Sequence, residues 1–437
     1  MDSTVLSLIA ICLSFIIFFF CCMKGLGPVI TSFICAALVG LTTQSGLNTA
    51  FFSTYVSGAL TFGQNVFIPM IIGAAMGGIY SATGSTEVIG KQFVKWLGPN
   101  NAVFIIMGIS FLMPYLGVSA YVFVCAYVAF GVLKAANLPR TVGVAAMGGS
   151  ASIAMLFAPG GANIANLVPT FTLGTDLYAA PLMGWVCTFI GIGLDIFYVQ
   201  MLARTARKNK IGYTEPEYML GKEMIKEDNL PSFGIAITPL IAILVLLYIF
   251  QKIFLMSADN ALVLAQVIGI ILMFVFNWNR IIGDKLKMIA DSASNGFGVF
   301  MACVAVTGFG SVVQDTSGYQ FLIEKLLGLN VNPYVQIFIV VAVVCAMCAD
   351  GLGGMSVFFS TLAPSFLEQG LDPAAMHRVT TCTATTFDSL PHNSVVNINL
   401  QVFGLTHKEG YKHLAVVQIG IPIIYSIVAV IMAILFY

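Results

Sequence analysis

The sequence predicts an all-α polytopic membrane protein built as two inverted repeats, with about ten transmembrane helices and two re-entrant hairpins. Three observations predict it: an extreme apolar composition, two long apolar segments broken in their middles, and a likeness between the two halves of the chain.

Of the 437 residues, 59% are hydrophobic and 9% charged, with a mean hydropathy of +0.95. A soluble domain is roughly a quarter charged. A bilayer core of about 30 Å takes roughly 20 apolar residues per helix, and the chain supplies that length many times over. The 19 basic and 19 acidic residues cancel, and no basic tract interleaves with aromatic residues, which excludes nucleic acid as a partner. The 10 cysteines are scattered through apolar runs and read as small hydrophobes, not as a disulfide or zinc framework. Even Cys345-Ala-Met-Cys348 lies in a run, 337–349, too apolar for a redox loop. No G-x-x-x-x-G-K-[ST] occurs and no hydrolase constellation of serine, cysteine or histidine, so neither an ATP-driven pump nor an enzyme is expected, and no cofactor or metal.

The first apolar run, 4–22, lacks the basic start and small-residue cleavage site of a signal peptide and reads as the first span. Further helices are expected near 27–43, 54–83, 141–174 and 178–203, then a charged connector from Arg204 to Asp228. After it come 235–255, 260–276, 288–314, 377–404 and 414–437. Residues 102–135 and 332–367 are apolar but interrupted, by Met113-Pro-Tyr-Leu-Gly-Val-Ser119 and by Asp350-Gly-Leu-Gly-Gly-Met-Ser356. Each reads as two half-helices returning on one side, since irregular backbone at depth survives only where protein or a cavity supplies its hydrogen bonds. With the N-terminus outside, all basic residues except Lys252, Lys325 and Arg378 then fall on the cytoplasmic side, as the positive-inside rule requires. Making either broken segment a simple span reverses everything after it and destroys this asymmetry.

The halves resemble each other. Thr61-Phe-Gly to Ser81-Ala-Thr-Gly84 lines up with Asn295-Gly-Phe-Gly298 to Asp315-Thr-Ser-Gly318, and both lead into an amphipathic stretch ending in Leu97-Gly98 or Leu327-Gly328. A broken hairpin and a span with a central proline, Pro159 or Pro391, follow in each. Five spans and a hairpin make an odd number of crossings, so the second half is inverted relative to the first. The expected organisation is 1–203 as first repeat, 204–233 as cytoplasmic linker and 234–437 as second repeat. Inverted repeats with broken helices mark secondary transporters, with the substrate site near the midplane where the breaks meet.

The proline breaks read Phe157-Ala-Pro-Gly-Gly-Ala-Asn163-Ile-Ala-Asn166 and Phe387-Asp-Ser-Leu-Pro-His-Asn-Ser394. A proline followed by small and amide residues unwinds a helix and leaves N–H groups at the start of the next half-helix, where they and the dipole favour an anion. With the hairpin tips they form one polar site: Gly117, Ser119, Gly160, Gly161, Asn163, Gly353, Gly354, Ser356, Ser389, His392 and Asn393 are the candidate substrate-binding residues. A carboxylate fits such a site without an arginine. Proline and glycine often do no more than kink and pack membrane helices, but four breaks at repeat-related places favour a binding site. Asp388 and His392, four apart, are the candidate proton-coupling pair, because an ionisable group at bilayer depth is costly and its protonation is movable. The alternative for both is a capping role. Asp350 is placed to act on the proton or to cap, and Asp195 to carry a proton or serve as a hydrogen-bond partner.

Asp388-Ser-Leu-Pro-His-Asn393, followed by Phe403-Gly-Leu-Thr-His407-Lys-Glu-Gly-Tyr411-Lys, resembles the gluconate permease family of proton symporters, nearest its 3-hydroxybutyrate permease-like members. The region around Ala158 and Gly161, with Asn166-Leu-Val-Pro169 and Leu173-Gly-Thr175, looks like that family's first-half motif. The resemblance spans essentially the whole chain. It implies the ion transporter superfamily, a scaffold domain with homodimer contacts, a transport domain moving as an elevator, a small hydroxy- or sugar-acid substrate, and a bacterial cytoplasmic membrane. Two departures touch the site: Gly160-Gly-Ala-Asn163 stands where relatives carry a Gly-Thr-Pro-Gln-like stretch, and Ser394 replaces a glycine. The expected function is proton-coupled symport of a small hydroxycarboxylate; a sodium-coupled carboxylate symporter or a cation/proton antiporter is the alternative.

Overall fold

A computed structural model of the chain describes residues 3–24, 26–43, 46–115, 121–161, 163–217, 230–256, 258–281 and 284–437. Within these the chain forms helices and turns only. The first half contains α1 (Ser3–Met23), α2 (Pro28–Gly40), α3 (Val56–Ala82), α4 (Ser85–Leu97), α5 (Ala102–Tyr115), α6 (Tyr121–Ala135), α7 (Arg140–Leu156), α8 (Ile164–Leu173) and α9 (Pro181–Lys208). The second contains α10 (Phe233–Lys252), α11 (Ala258–Asn277), α12 (Lys285–Gln314), α13 (Ser317–Leu327), α14 (Pro333–Cys348), α15 (Gly351–Val357), α16 (Ala363–Glu368), α17 (Pro373–Ala384), α18 (Ser394–Val402) and α19 (Ile421–Phe436), with short π-helical turns between some of them.

The helix starts follow from local chemistry. Asn163, Ser232, Asp284, Thr316, Asn332, Asp350, Asp372 and Asn393 each accept a backbone N–H with the side chain at an N-cap, satisfying donors that have no partner within the helix. Pro28, Pro181, Pro333 and Pro373 sit in the first turn, where a missing N–H costs nothing.

Three helices among the described residues are each long and apolar enough to cross a bilayer: Ser3–Met23, Pro181–Lys208 and His407–Phe436, the last running through two π-helical turns into α19. Shorter apolar helices accompany them. Large side chains stand outward on these helices, with Phe197 71%, Phe189 68% and Val275 67% exposed, an outer surface suited to acyl chains rather than water. The amphipathic α4 ends at Gly98, where the chain bends by 108° into the apolar α5. At the centre α3 packs along α12, and Gly58 lets them close: a methyl there would lie 1.9 Å from Ser311 Oγ.

The expected spans 141–174 and 377–404 each divide around their prolines, into α7 and α8 and into α17 and α18. Three expectations are corrected. The connector assigned from Arg204 begins later, because α9 stays helical to Lys208. The second hairpin does not unwind over 350–356. Its turn is Ala349, at φ 55°, and Asp350, after which Gly351 to Val357 is helical because Asp350 caps it by accepting from Leu352 and Gly353 N–H at 3.3 and 2.9 Å. Gly353 and Gly354 therefore lie on a helix, and a methyl on Gly354 would meet Cys345 Sγ at 2.5 Å. The third concerns 113–119, whose first residues, through Tyr115, remain helical. Gly117, Ser119 and the side chain of Ser356 lie outside the described residues, as do residues 218–229 of the linker.

Candidate functional site

Each break is a turn of buried backbone closed by an asparagine. Asn163 (φ −72°, ψ 146°) and Asn393 (φ −74°, ψ 139°) occupy matching N-cap positions. Asn163 Oδ1 accepts from Ala165 N–H at 3.2 Å and Asn393 Oδ1 from Val396 N–H at 2.8 Å. One turn on, a second asparagine donates back into each break: Asn166 to the Gly161 carbonyl at 2.9 Å, Asn397 to that of Pro391 at 3.1 Å. The chain thus pays for breaking two buried helices with the same two amides on each side.

Each break is tied to its hairpin. Tyr115, at the end of α5, donates to the Pro159 carbonyl at 2.9 Å. In the second half His392 Nε2–H donates to Ala346 and Asn393 Nδ2 to Ala349, both at 2.9 Å. The His392 ring also stacks on Phe15 with centroids 4.7 Å apart, against Phe18 and Phe309. The residues that carry the family resemblance brace the same break: His407 donates to the Pro391 carbonyl at 3.2 Å and Tyr411 to that of Ser389 at 3.3 Å.

Asp388 is 9% exposed in the turn Phe387–Ser389, and its Oδ1 accepts from Ser389 Oγ at 2.9 Å. A methyl on Gly351 would lie 2.9 Å from Asp388 Oδ2 and 3.2 Å from Leu156 Cδ2, so the carboxylate sits between the second hairpin and the end of α7. Asp388 and His392 use different partners and do not bond each other. Asp350 caps α15, the simpler of its two expected roles.

In the first break Gly160 stands at φ 81° and donates to Leu177 at 3.0 Å, while Gly161 donates to Ala158 at 3.0 Å. Their N–H groups, expected to face an anion, close the turn instead. Asn163 Nδ2 is different: it is buried and has no partner among the described residues. Gly160→Ala is expected to cost about 1–2 kcal/mol in left-handed backbone alone, and its methyl would meet the Tyr178 hydroxyl at 2.6 Å. Thermal unfolding of the solubilised variant measures this, and an unchanged melting temperature contradicts it.

The residue that sequence reasoning missed is Arg378. It is 0% exposed in α17. Its Nε donates to Ala179 O at 2.7 Å, Nη1 to Phe157 O at 2.8 Å and Asn166 Oδ1 at 2.9 Å, and Nη2 to Leu177 O at 2.7 Å. Beside it His377 Nε2–H donates to Asn166 at 3.2 Å and Nδ1 pairs with Thr175 Oγ1 at 2.8 Å. The helix that enters the second break is thereby locked to both sides of the first. Among the described residues no carboxylate forms an ion pair with Arg378. The available signal was His377-Arg378 inside a span; counting basic residues by side had marked the arginine only as external.

No family model matches the chain. It is 24% identical over 466 residues to a Bacillus subtilis (strain 168) protein described as "Uncharacterized transporter YxjC", an alignment covering 97% of this chain and 98% of that one. That relative is described as a transporter and not as an enzyme, in line with the expectation for this chain. Among solved structures the Alcanivorax borkumensis YdaH transporter, with what its crystal structure shows to be an unusual topology, aligns over 100% of this chain and 99% of that one at 14% identity and a TM-score of 0.41. A likeness of that size carries no argument about this chain.

Proposed function

We propose that the chain is a multi-pass secondary transporter of the bacterial cytoplasmic membrane that carries a small hydroxycarboxylate, such as 3-hydroxybutyrate or gluconate, together with protons. The observation that carries this reading is the guanidinium of Arg378, buried where α17 meets the first break and in no ion pair with a carboxylate among the described residues. A fixed positive charge in a low-dielectric site favours an anion, and the orphan Asn163 Nδ2 beside the same break is a donor for its oxygens. The carboxylate site was expected to need no arginine; in this reading Arg378 supplies its field while Ser119, Asn163, Ser356, Ser389 and Asn393 supply contacts. Asp388, buried near both halves, takes the proton. The inverted-repeat organisation, the elevator motion and the homodimer belong to the same proposal. The end-to-end alignment with a protein described as a transporter supports it.

A thermal-shift screen of the purified protein against 3-hydroxybutyrate, lactate, gluconate and citrate, at two pH values with and without sodium, tests the reading. A ligand that binds only the folded state at 100 times its Kd adds about 2.7 kcal/mol, so the melting temperature should rise with one hydroxy acid, more at low pH and regardless of sodium. A response to sodium alone transfers the assignment to a cation antiporter.

A further inference from the structure

Asp195 stands apart from the breaks. It lies in α9 with 0% exposure, and both carboxylate oxygens are buried with no hydrogen-bond partner among the described residues. The role of hydrogen-bond partner, one of its two expected uses, is thus not taken up. An unpaired ionised carboxylate in such a place gives up its hydration for nothing. Room is made for it deliberately: a methyl on Gly149 of α7 would lie 2.5 Å from Asp195 Oδ2 and 2.8 Å from Oδ1.

Proton-bearing side chains stand about one turn away along α9 in either direction. One turn earlier, a methyl on Gly191 would lie 3.1 Å from the ring of Tyr425 on α19. The Tyr425 phenol shares a 2.6 Å hydrogen bond with Thr385, at the entrance to the second break. In the other direction Tyr198, three residues on from Asp195 and so near the same face, shares a 2.8 Å bond with His413. The remaining titratable or charged groups on helices packed against α9 are engaged elsewhere: Arg140 with Phe403 and Gly404, Tyr115 with Pro159, His377 with Asn166 and Thr175, Arg378 with the first break. Cys187 donates to the Tyr425 carbonyl at 3.3 Å and Cys382 is a buried thiol.

We infer that Asp195 is a second proton-carrying site of the bundle, lodged against Gly149 of α7 on the α9 face that runs from Gly191, beside Tyr425, to Tyr198. Each transfer breaks one O–H bond and forms one O–H or N–H bond, and no electrons leave or enter. Only the physiological use of the site rests on the proton-coupled reading above.

Infrared difference spectroscopy of the purified full-length protein, with no substrate added, reads the carbonyl stretch of a neutral carboxylic acid. The expected result is a wild-type band that is absent from Asp195→Asn and that falls reversibly as pH is raised. Absence of such a band, or a band constant over the whole pH range in which the protein stays folded, overturns the inference. Should Asp195→Asn fail to fold, Gly149→Ala keeps the acid and crowds it. Its band should shift in frequency and midpoint, which a merely structural acid far from Gly149 would not show, and an unshifted band counts against the site. Uptake of labelled 3-hydroxybutyrate into proteoliposomes under a pH gradient separates the two readings. Wild-type protein that takes up none contradicts the proposed substrate but leaves the infrared result standing. Accumulation by Asp195→Asn equal to wild type at every pH removes the site from coupling.

Discussion

Replacing Arg378 by alanine is expected to abolish the folded, solubilisable protein, or to lower its melting temperature by more than Gly160→Ala or Asp388→Asn does. The guanidinium makes four hydrogen bonds, to Ala179, Phe157, Asn166 and Leu177. Removing it leaves buried acceptors unanswered at about 1–3 kcal/mol each, besides a cavity. Against a net stability of about 5–15 kcal/mol for a domain, the loss is of the same order as the whole. Lysine is expected to rescue only in part, since an ammonium has three donors and no planar fork. Detergent-solubilised yield and melting by fluorescence-detected size exclusion measure both variants. An alanine variant that melts with wild type would show that the lock contributes nothing.

Asp388→Asn is expected to leave the fold and substrate exchange intact and to stop uphill accumulation. The amide is isosteric and keeps an oxygen to accept from Ser389 Oγ, which lies 2.9 Å from Oδ1 in the native protein. What it loses is the ability to gain and release a proton. One pH unit is worth about 1.4 kcal/mol per proton, a roughly tenfold accumulation, so wild-type vesicles should concentrate substrate about tenfold under that gradient while the variant levels at equal concentrations inside and out. Counterflow measured on the same vesicles separates coupling from binding: loss of both would make Asp388 a binding or structural residue.

Much of the fold was legible because hydropathy and capping act locally. The first span, expected at 4–22, is Ser3–Met23, and the prolines marked where two spans divide. The second hairpin was misplaced for a physical reason. Glycines at 351, 353 and 354 read as unwinding signals, yet Asp350 caps them into a helix and Gly354 serves close approach to Cys345. Glycine in a membrane helix signals packing as readily as a break, and sequence alone does not distinguish the two. The asparagines were legible at the breaks because caps are short-range. Arg378 was not, because its partners lie some 200 positions earlier in the chain, with separations of 199 to 221 residues. Nor was the isolation of Asp195, since the lack of a partner is a property of the neighbours that folding brings up.

The distance between Arg378 and its partners also orders the protein's assembly. The carbonyls of Phe157, Leu177 and Ala179 belong to a segment translated long before the arginine that answers them. Until the second half is made, the Leu177 carbonyl has only its bond from Gly160 N–H and those of Phe157 and Ala179 lack the guanidinium altogether, so the N-terminal half is an unfinished piece. These bonds can form only once α17 has been made. A nascent chain arrested before Pro373 should therefore be a better target for membrane quality-control proteases than one arrested after Ala384, although both already carry the whole first half.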